Sequence, residues 1–141
     1  MAQENNLKRF IDAQDRNYTD ALAEIKNGRK LTHWMWYIFP QIQGLGLSET
    51  AKFYAIEDIE EAEAFLHHPV LGSRLLAISK ALLELASNDA YRILGSPDDM
   101  KLQSSMTLFN SLPDADPVFQ AVLDKFYNGE QDRKTLQLLG K

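Results

Sequence analysis

Cysteine is absent from this chain of 141 residues, which excludes a disulfide framework, a thiolate zinc site and a thiol nucleophile. The absence fits a reducing compartment, and the expected localisation is cytoplasmic. Long apolar runs are missing too. No segment approaches the roughly 20 residues that a bilayer-spanning helix needs, and Met1-Ala2-Gln3-Glu4-Asn5-Asn6 has no apolar run of the signal-peptide kind. No membrane partner is therefore expected. Basic charge is in deficit: 15 Lys and Arg against 20 Asp and Glu leave a formal net charge of −5. General nucleic-acid binding, which depends on clustered Lys and Arg, is not expected. Glycine and proline are few, at 7 and 5, and no repeat or low-complexity tract interrupts the chain. A chain of this length buries roughly two-thirds of its unfolded surface, so one globular domain is the natural reading.

Recognisable catalytic signatures are also missing. The three histidines are His33, His67 and His68; the adjacent pair diverge on a helix, and no third ligand stands at metal spacing. No metal is expected. There is no G-x-S-x-G elbow and no Walker loop, and Gly44-Leu45-Gly46 is a fragment of G-x-G-x-x-G without its strand or third glycine. No cofactor is implied.

What stands out is His33-Trp34-Met35-Trp36-Tyr37-Ile38-Phe39-Pro40-Gln41, which holds both tryptophans of the chain. Aromatic side chains bury roughly 150–250 Å² each, so this stretch can organise a core. His33 and Gln41 are polar groups that a pure core plug does not need. The spacing predicts a short helix from His33 to Ile38, capped by Thr32 and stopped by Pro40.

The rest of the chain reads as helices. Leu7, Phe10 and Ile11 form one stripe and Tyr18, Ala21, Leu22 and Ile25 another, with Asp15-Arg16-Asn17 predicted to separate two helices and Asn27-Gly28 to end the second. The basic pair Arg29-Lys30 follows. Gly44-Leu45-Gly46 lies in a loop, where glycines suit backbone conformations closed to other residues or a close approach to a ligand. Ser48 and Asp58 are predicted helix caps, with Glu61 completing a capping box. His68-Pro69 opens the clearest amphipathic helix, which carries Leu71, Leu75, Ile78, Leu82 and Leu85 and is expected to cross the core. Ser96-Pro97 and Asp116-Pro117 open two more, Ser96 as a cap. Leu136, Leu138 and Leu139 suit a short last helix over 132–139. The predicted fold is all-α, a single-domain multihelical orthogonal bundle over 1–141 with its core at about 7–127.

Polar residues beside these stripes are the candidate site. Lys101, Ser104 and Ser105 share a face of the helix after Ser96, and small hydroxyls there either permit close helix packing or hydrogen-bond a ligand. Each candidate has a structural alternative: Trp34, Trp36 and Phe39 as core, His33 and Gln41 as partners of loop backbone, Arg74 and Lys101 as surface ion-pair members.

The runs Leu31 to Gln41, Gly44-Leu45-Gly46-Leu47-Ser48, Tyr54-Ala55-Ile56, His68 to Leu75, and Lys101 to Phe109 together resemble the bacterial domain-of-unknown-function 1810 family. The resemblance covers about residues 7–127. Some members carry the label calpastatin, although a calpain inhibitor is a disordered repeat protein and this chain reads as globular. The resemblance implies a small helical protein without an assigned activity. A fainter one, to the NADAR superfamily of helical domains associated with NAD and ADP-ribose metabolism, rests on the order of elements: a helix with Glu49 and Tyr54, an acidic helix, then a Lys-bearing helix running into Leu-Phe. It implies a candidate ligand class, and no catalytic residue carries over.

Two functional expectations follow. In the first, a polar and aromatic pocket formed by His33, Trp36, Tyr37, Gln41, Gly44, Ser48, Tyr54, Arg74, Lys101, Ser104 and Ser105 binds a small nucleotide-like or ADP-ribose-like ligand, with hydrolysis as an extension. There Trp36 and Tyr37 stack a ring, Arg74 and Lys101 hold negative charge, and His33, Glu49 or Lys101 supply the catalytic chemistry. In the second, the aromatics are core and the chain is a non-catalytic protein-interaction or regulatory module. A concave pocket lined by His33, Gln41 and Lys101 favours the first.

Overall fold

The computed structural model describes the backbone of residues 2–141 and the side chains of residues 6–141. Among the described residues it contains α1 (Ala2–Lys26), α2 (Met35–Ile38), α3 (Glu49–Phe53), α4 (Ile59–His67), α5 (Leu71–Leu83), α6 (Ala90–Leu94), α7 (Asp98–Asn110), α8 (Pro117–Tyr127) and α9 (Arg133–Leu138). One isolated parallel bridge joins Ile42 to Ile56 and no sheet forms among these residues. The fold is all-α, as expected. No helix among the described residues is long and apolar enough to cross a membrane.

The amino-terminal third differs from expectation. Asp15-Arg16-Asn17 does not break the chain, because α1 runs unbroken from Ala2 to Lys26. Asp15 and Arg16 face solvent while Ala13, Gln14 and Ala21 are buried. Without Gly or Pro the polar triplet leaves the helix intact, Asp15 and Arg16 lying on its outer face and half-buried Asn17 turning to the Tyr37 hydroxyl. The helix ends where Asn27-Gly28 suggested, with Gly28 at φ +81°.

Local capping signals mostly act as read. Ser48 Oγ accepts from the Ala51 N–H at 3.1 Å, and Asp58 Oδ1 from the Glu61 N–H at 2.9 Å. His68 starts α5 through its ring: Nδ1 accepts from the N–H groups of Val70 and Leu71 at 3.0 and 3.3 Å, and its carbonyl accepts from Gly72. Three readings are corrected. Ser96 does not cap α7: Pro97 holds the cap position without a side-chain bond, and the first turn is closed by main-chain bonds from Asp99 N–H to the Gly95 carbonyl at 2.9 Å and from Lys101 N–H to the Pro97 carbonyl at 3.1 Å. Glu61 does not close the capping box on Asp58; its Oε1 takes the Glu57 N–H at 2.8 Å and the Arg9 guanidinium at 3.1 Å. Thr32 does not cap α2, which begins at Met35, because its hydroxyl donates to Glu24 at 2.6 Å.

The core is threaded by aromatic contacts. Phe10 meets Phe65 edge-on at 5.1 Å, Phe65 lies 5.5 Å from Phe109, and Phe109 lies 5.8 Å from Phe119. This chain links α1, α4, α7 and α8, each offset or tilted pair adding about 0.5–1.5 kcal/mol beyond area burial. The helix expected to cross the core, α5, packs against α1, α4 and α8 and buries Leu71, Leu75, Ile78 and Leu82 among them. A Cβ at Gly72 would stand 1.9 Å from the Leu66 carbonyl oxygen, so only glycine permits this close seating of α5 against the end of α4. In α7, Leu102 and every residue from Ser104 to Phe109 are buried.

Two carboxylates tie α1 to the loops. Glu61, with a side chain only 2% exposed, pairs with Arg9, whose guanidinium also donates to the carbonyls of Phe53 and Ala55 at 2.8 Å. Glu24 accepts from Leu31 N–H at 2.7 Å, Thr32 N–H at 3.0 Å, Thr32 Oγ1 and the Trp34 indole N–H at 2.9 Å. Burial alone would raise the Glu24 carboxyl, but these four hydrogen bonds outweigh it and hold the group down at about 2. Replacing Glu24 with Gln is expected to cost roughly 1–3 kcal/mol at neutral pH. The folded value lies below the ordinary 4.5, so the contribution is full above that pH and is lost as pH falls through about 2. Denaturant melts of both proteins across this range should show the stability gap narrowing toward acid. A gap independent of pH would overturn the assignment.

Candidate functional site

The anchored loop sets the aromatic segment. With its indole N–H on Glu24, Trp34 is fully buried and packs 6.3 Å from the Phe39 ring. Tyr37 is also buried; its carbonyl accepts from Gln14 Nε2 at 2.7 Å and its hydroxyl from Asn17 Nδ2 at 2.5 Å. Burial pushes the Tyr37 hydroxyl above its ordinary value, against the lowering effect of the Asn17 bond. Trp36 remains half-buried, with the Lys101 ammonium 5.4 Å from its ring centroid.

The structure brings together only part of the sequence-predicted set. Trp36, Gln41 and Tyr54 do converge, with Gly46, around one cavity, but its volume is about 10 Å³, enough for a single water. His33 is exposed and forms no side-chain hydrogen bond among the described residues. Glu49 is exposed in the first turn of α3, beside Thr50, Phe53 and Tyr54. Lys101 reaches Asp98 at 3.6 Å. No hydrogen bond or ion pair among the described residues joins any two of His33, Glu49 and Lys101.

The other candidates have structural partners. Arg74 sits over the Tyr18 ring at 5.3 Å and pairs with Asp15 at 3.0 Å. Ser48 caps α3. Ser104 Oγ lies 3.0 Å from Asp132 Oδ2, which also accepts from the Thr135 N–H and hydroxyl, while Thr107 Oγ1 accepts from the Asp132 N–H. These hydroxyls lock α9 onto α7. Ser105 is fully buried with its hydroxyl unpartnered, the outcome in which small residues serve close packing. Gly44 is exposed at φ +109°, a left-handed conformation.

A wider cleft lies elsewhere. Gly28, Arg29 and Lys30 form one wall; Ser87 and the segment Tyr91 to Gly95 form the other, enclosing about 650 Å³. The walls are joined where the Lys30 N–H donates to the Ile93 carbonyl at 2.7 Å. Three cations line the cleft and no acid does. Arg29 and Arg92 are exposed and form no ion pair among the described residues. Lys30 pairs with Asp98 at 3.0 Å and lies 5.2 Å from the Trp34 ring centroid. Tyr91 stands 63% exposed at the rim. The Asp89 carboxylate is turned onto the N–H groups of Tyr91 and Arg92, and Glu24 lies behind the loop in its own four bonds. Sequence reasoning missed this cleft because its walls come from segments about sixty positions apart. The Arg29-Lys30 pair after Gly28 was its one local signal.

Among the described residues no group of three or more His, Asp or Glu stands together to hold a metal. Fold and site together define an all-α, single-domain protein with a wide cationic cleft. The chain belongs to the family described as protein of unknown function DUF1810, whose model matches residues 4–139. Among solved structures it is similar to the conserved hypothetical protein Rv1873 from Mycobacterium tuberculosis, at 45% sequence identity and a TM-score of 0.94, over 96% of this chain and 97% of that one. No curated protein matches.

The second loop glycine has a steric role. A Cβ at Gly46 would fall 2.4 Å from the Ala51 Cβ, closer than two carbons can approach. The Gly46→Ala variant is therefore expected to lose about 1–3 kcal/mol, and adding Ala51→Gly to recover part of it. Thermal unfolding of the single and double variants checks this; an undiminished melting temperature in Gly46→Ala would overturn it.

Proposed function

We propose that this protein binds a small phosphorylated, nucleotide-like ligand in the cleft between Gly28–Lys30 and Tyr91–Gly95. Arg29 and Arg92 take the charged group and Tyr91 packs against a ring. The observation that supports this reading is the inversion of charge: a chain of net −5 lines a cleft of about 650 Å³ with Arg29, Lys30 and Arg92 and no acid. Guanidinium groups form forked, charge-assisted hydrogen bonds with phosphate oxygens, and unpaired ones do so without first losing another partner. Trp36 and Lys101 adjoin this site through Asp98, which pairs with both Lys30 and Lys101. The lining contains no carboxylate or imidazole to carry a proton, so binding is the primary reading. Hydrolysis of an ADP-ribose-type bond would draw on His33 or Glu49 outside it.

A second reading, a protein-interaction module, is favoured by Leu47 and Phe53. They stand 84% and 59% exposed at the two ends of the α3 segment, where apolar exposure suits a partner surface.

A thermal-shift panel of NAD, ADP-ribose, nucleotides and sugar phosphates separates the two. A ligand at one hundred times its dissociation constant adds about 2.7 kcal/mol. A raised melting temperature in the wild type is expected, lost in Arg29→Ala and Arg92→Ala and kept in Leu47→Asp. No response to any phosphorylated compound, or one that both arginine variants retain, would overturn the cleft as the site.

A further inference from the structure

Resting on the anion-binding reading above, we propose that Asp98 holds the Lys30 ammonium in reserve, so that the cleft meets the dianionic end of a phosphomonoester with the two free charges of Arg29 and Arg92. Lys30 is the one lining cation that already has a partner. Its side chain is 8% exposed, its ammonium lies 3.0 Å from Asp98 Oδ2, and the Trp34 ring covers it at 5.2 Å. The other Asp98 oxygen lies 3.6 Å from the Lys101 ammonium, which rests over Trp36. One carboxylate thus restrains two lysines, one on the wall of the cleft and one beside Trp36.

The charge balance follows from this arrangement. With Lys30 engaged by Asp98, the unpaired lining cations are Arg29 and Arg92, two positive charges, the number that a phosphomonoester neutralises above its second pKa of about 6. A singly charged group of similar shape satisfies one arginine and leaves the other unmatched. It also gains less from Lys30, whose ammonium has three donors but is held by Asp98 and indole. Asp98 is consequently a positioning residue: it touches no ligand, and it sets how strongly Lys30 answers one.

The test uses phenyl phosphate and benzenesulfonate, a dianion and a monoanion on the same ring, with affinities measured by calorimetry near pH 8. The wild type is expected to prefer phenyl phosphate by about tenfold or more, since each 1.4 kcal/mol of added interaction is a factor of ten. Asp98→Asn should bind both compounds more tightly, phenyl phosphate by the larger factor, and widen that preference, because an added positive charge acts twice as strongly on a dianion. In a Lys30→Gln background the same substitution should do no more than Asp20→Asn, which removes an equal charge from the exposed face of α1. The wild-type preference needs no variant, so the proposal stays testable even if Asp98→Asn does not fold. Equal binding of the two probes, or an Asp98→Asn effect that persists without Lys30, overturns the role of Asp98 and leaves the cleft standing as an anion site. Failure of both probes to bind the wild type overturns the anion-binding reading and this inference together.

Discussion

Glu24 accepts hydrogen bonds from two backbone N–H groups, a hydroxyl and an indole, all supplied by the four residues Leu31 to Trp34. Three of these donors converge on Oε1 and the Thr32 hydroxyl takes Oε2, so both carboxylate oxygens are hydrogen-bonded. That pairing makes burial of a charge tolerable, and it turns the chain sharply after α1. Trp34 then drops into the core, α2 follows, and the Lys30 ammonium is held between Asp98 and the Trp34 ring. The aromatic core and the cationic cleft are thus two faces of one anchored loop. Arg9 and Glu61 act in the same way at the other end of α1, gathering the carbonyls of Phe53 and Ala55 around a shielded ion pair.

The buried hydroxyls of α7 illustrate a different constraint. A helix enclosed on all sides leaves little room for long side chains, and its polar atoms must find partners within the protein. Ser104 and Thr107 do so through backbone carbonyls one turn earlier and through Asp132. The short α9 depends on that network, since Asp132 is both its N-cap and the acceptor for Ser104. Tyr127 adds a third tie by donating to the Asp99 carbonyl at 2.5 Å, with burial first and the Asp99 carboxylate second raising its hydroxyl well above the ordinary value.

Much of the fold was legible in short stretches. Ser48 and Asp58 cap helices because the side chain and the N–H groups it accepts from lie within three residues of each other. The same locality explains His68-Pro69 and Asp116-Pro117 as helix starts. The candidate site was legible only in part. Trp36, Gln41 and Tyr54 do meet, yet their side chains fill the space between them. Ser104 and Ser105 looked like ligand donors because a helical wheel shows which residues share a face and not what that face touches.

The sequence by itself determined an all-α chain, most of its helix starts, its aromatic core and its family, because periodicity, capping and motifs act over a few residues. Only the tertiary structure decided that α7 is buried all round from Ser104 to Phe109, that Glu24 anchors Trp34, and that Arg29 and Lys30 face Tyr91 and Arg92 across a cleft. The physical reason is range. A hydrogen-bonded turn is encoded beside itself, whereas a charge gains its partner, or is left without one, only when distant segments are packed together.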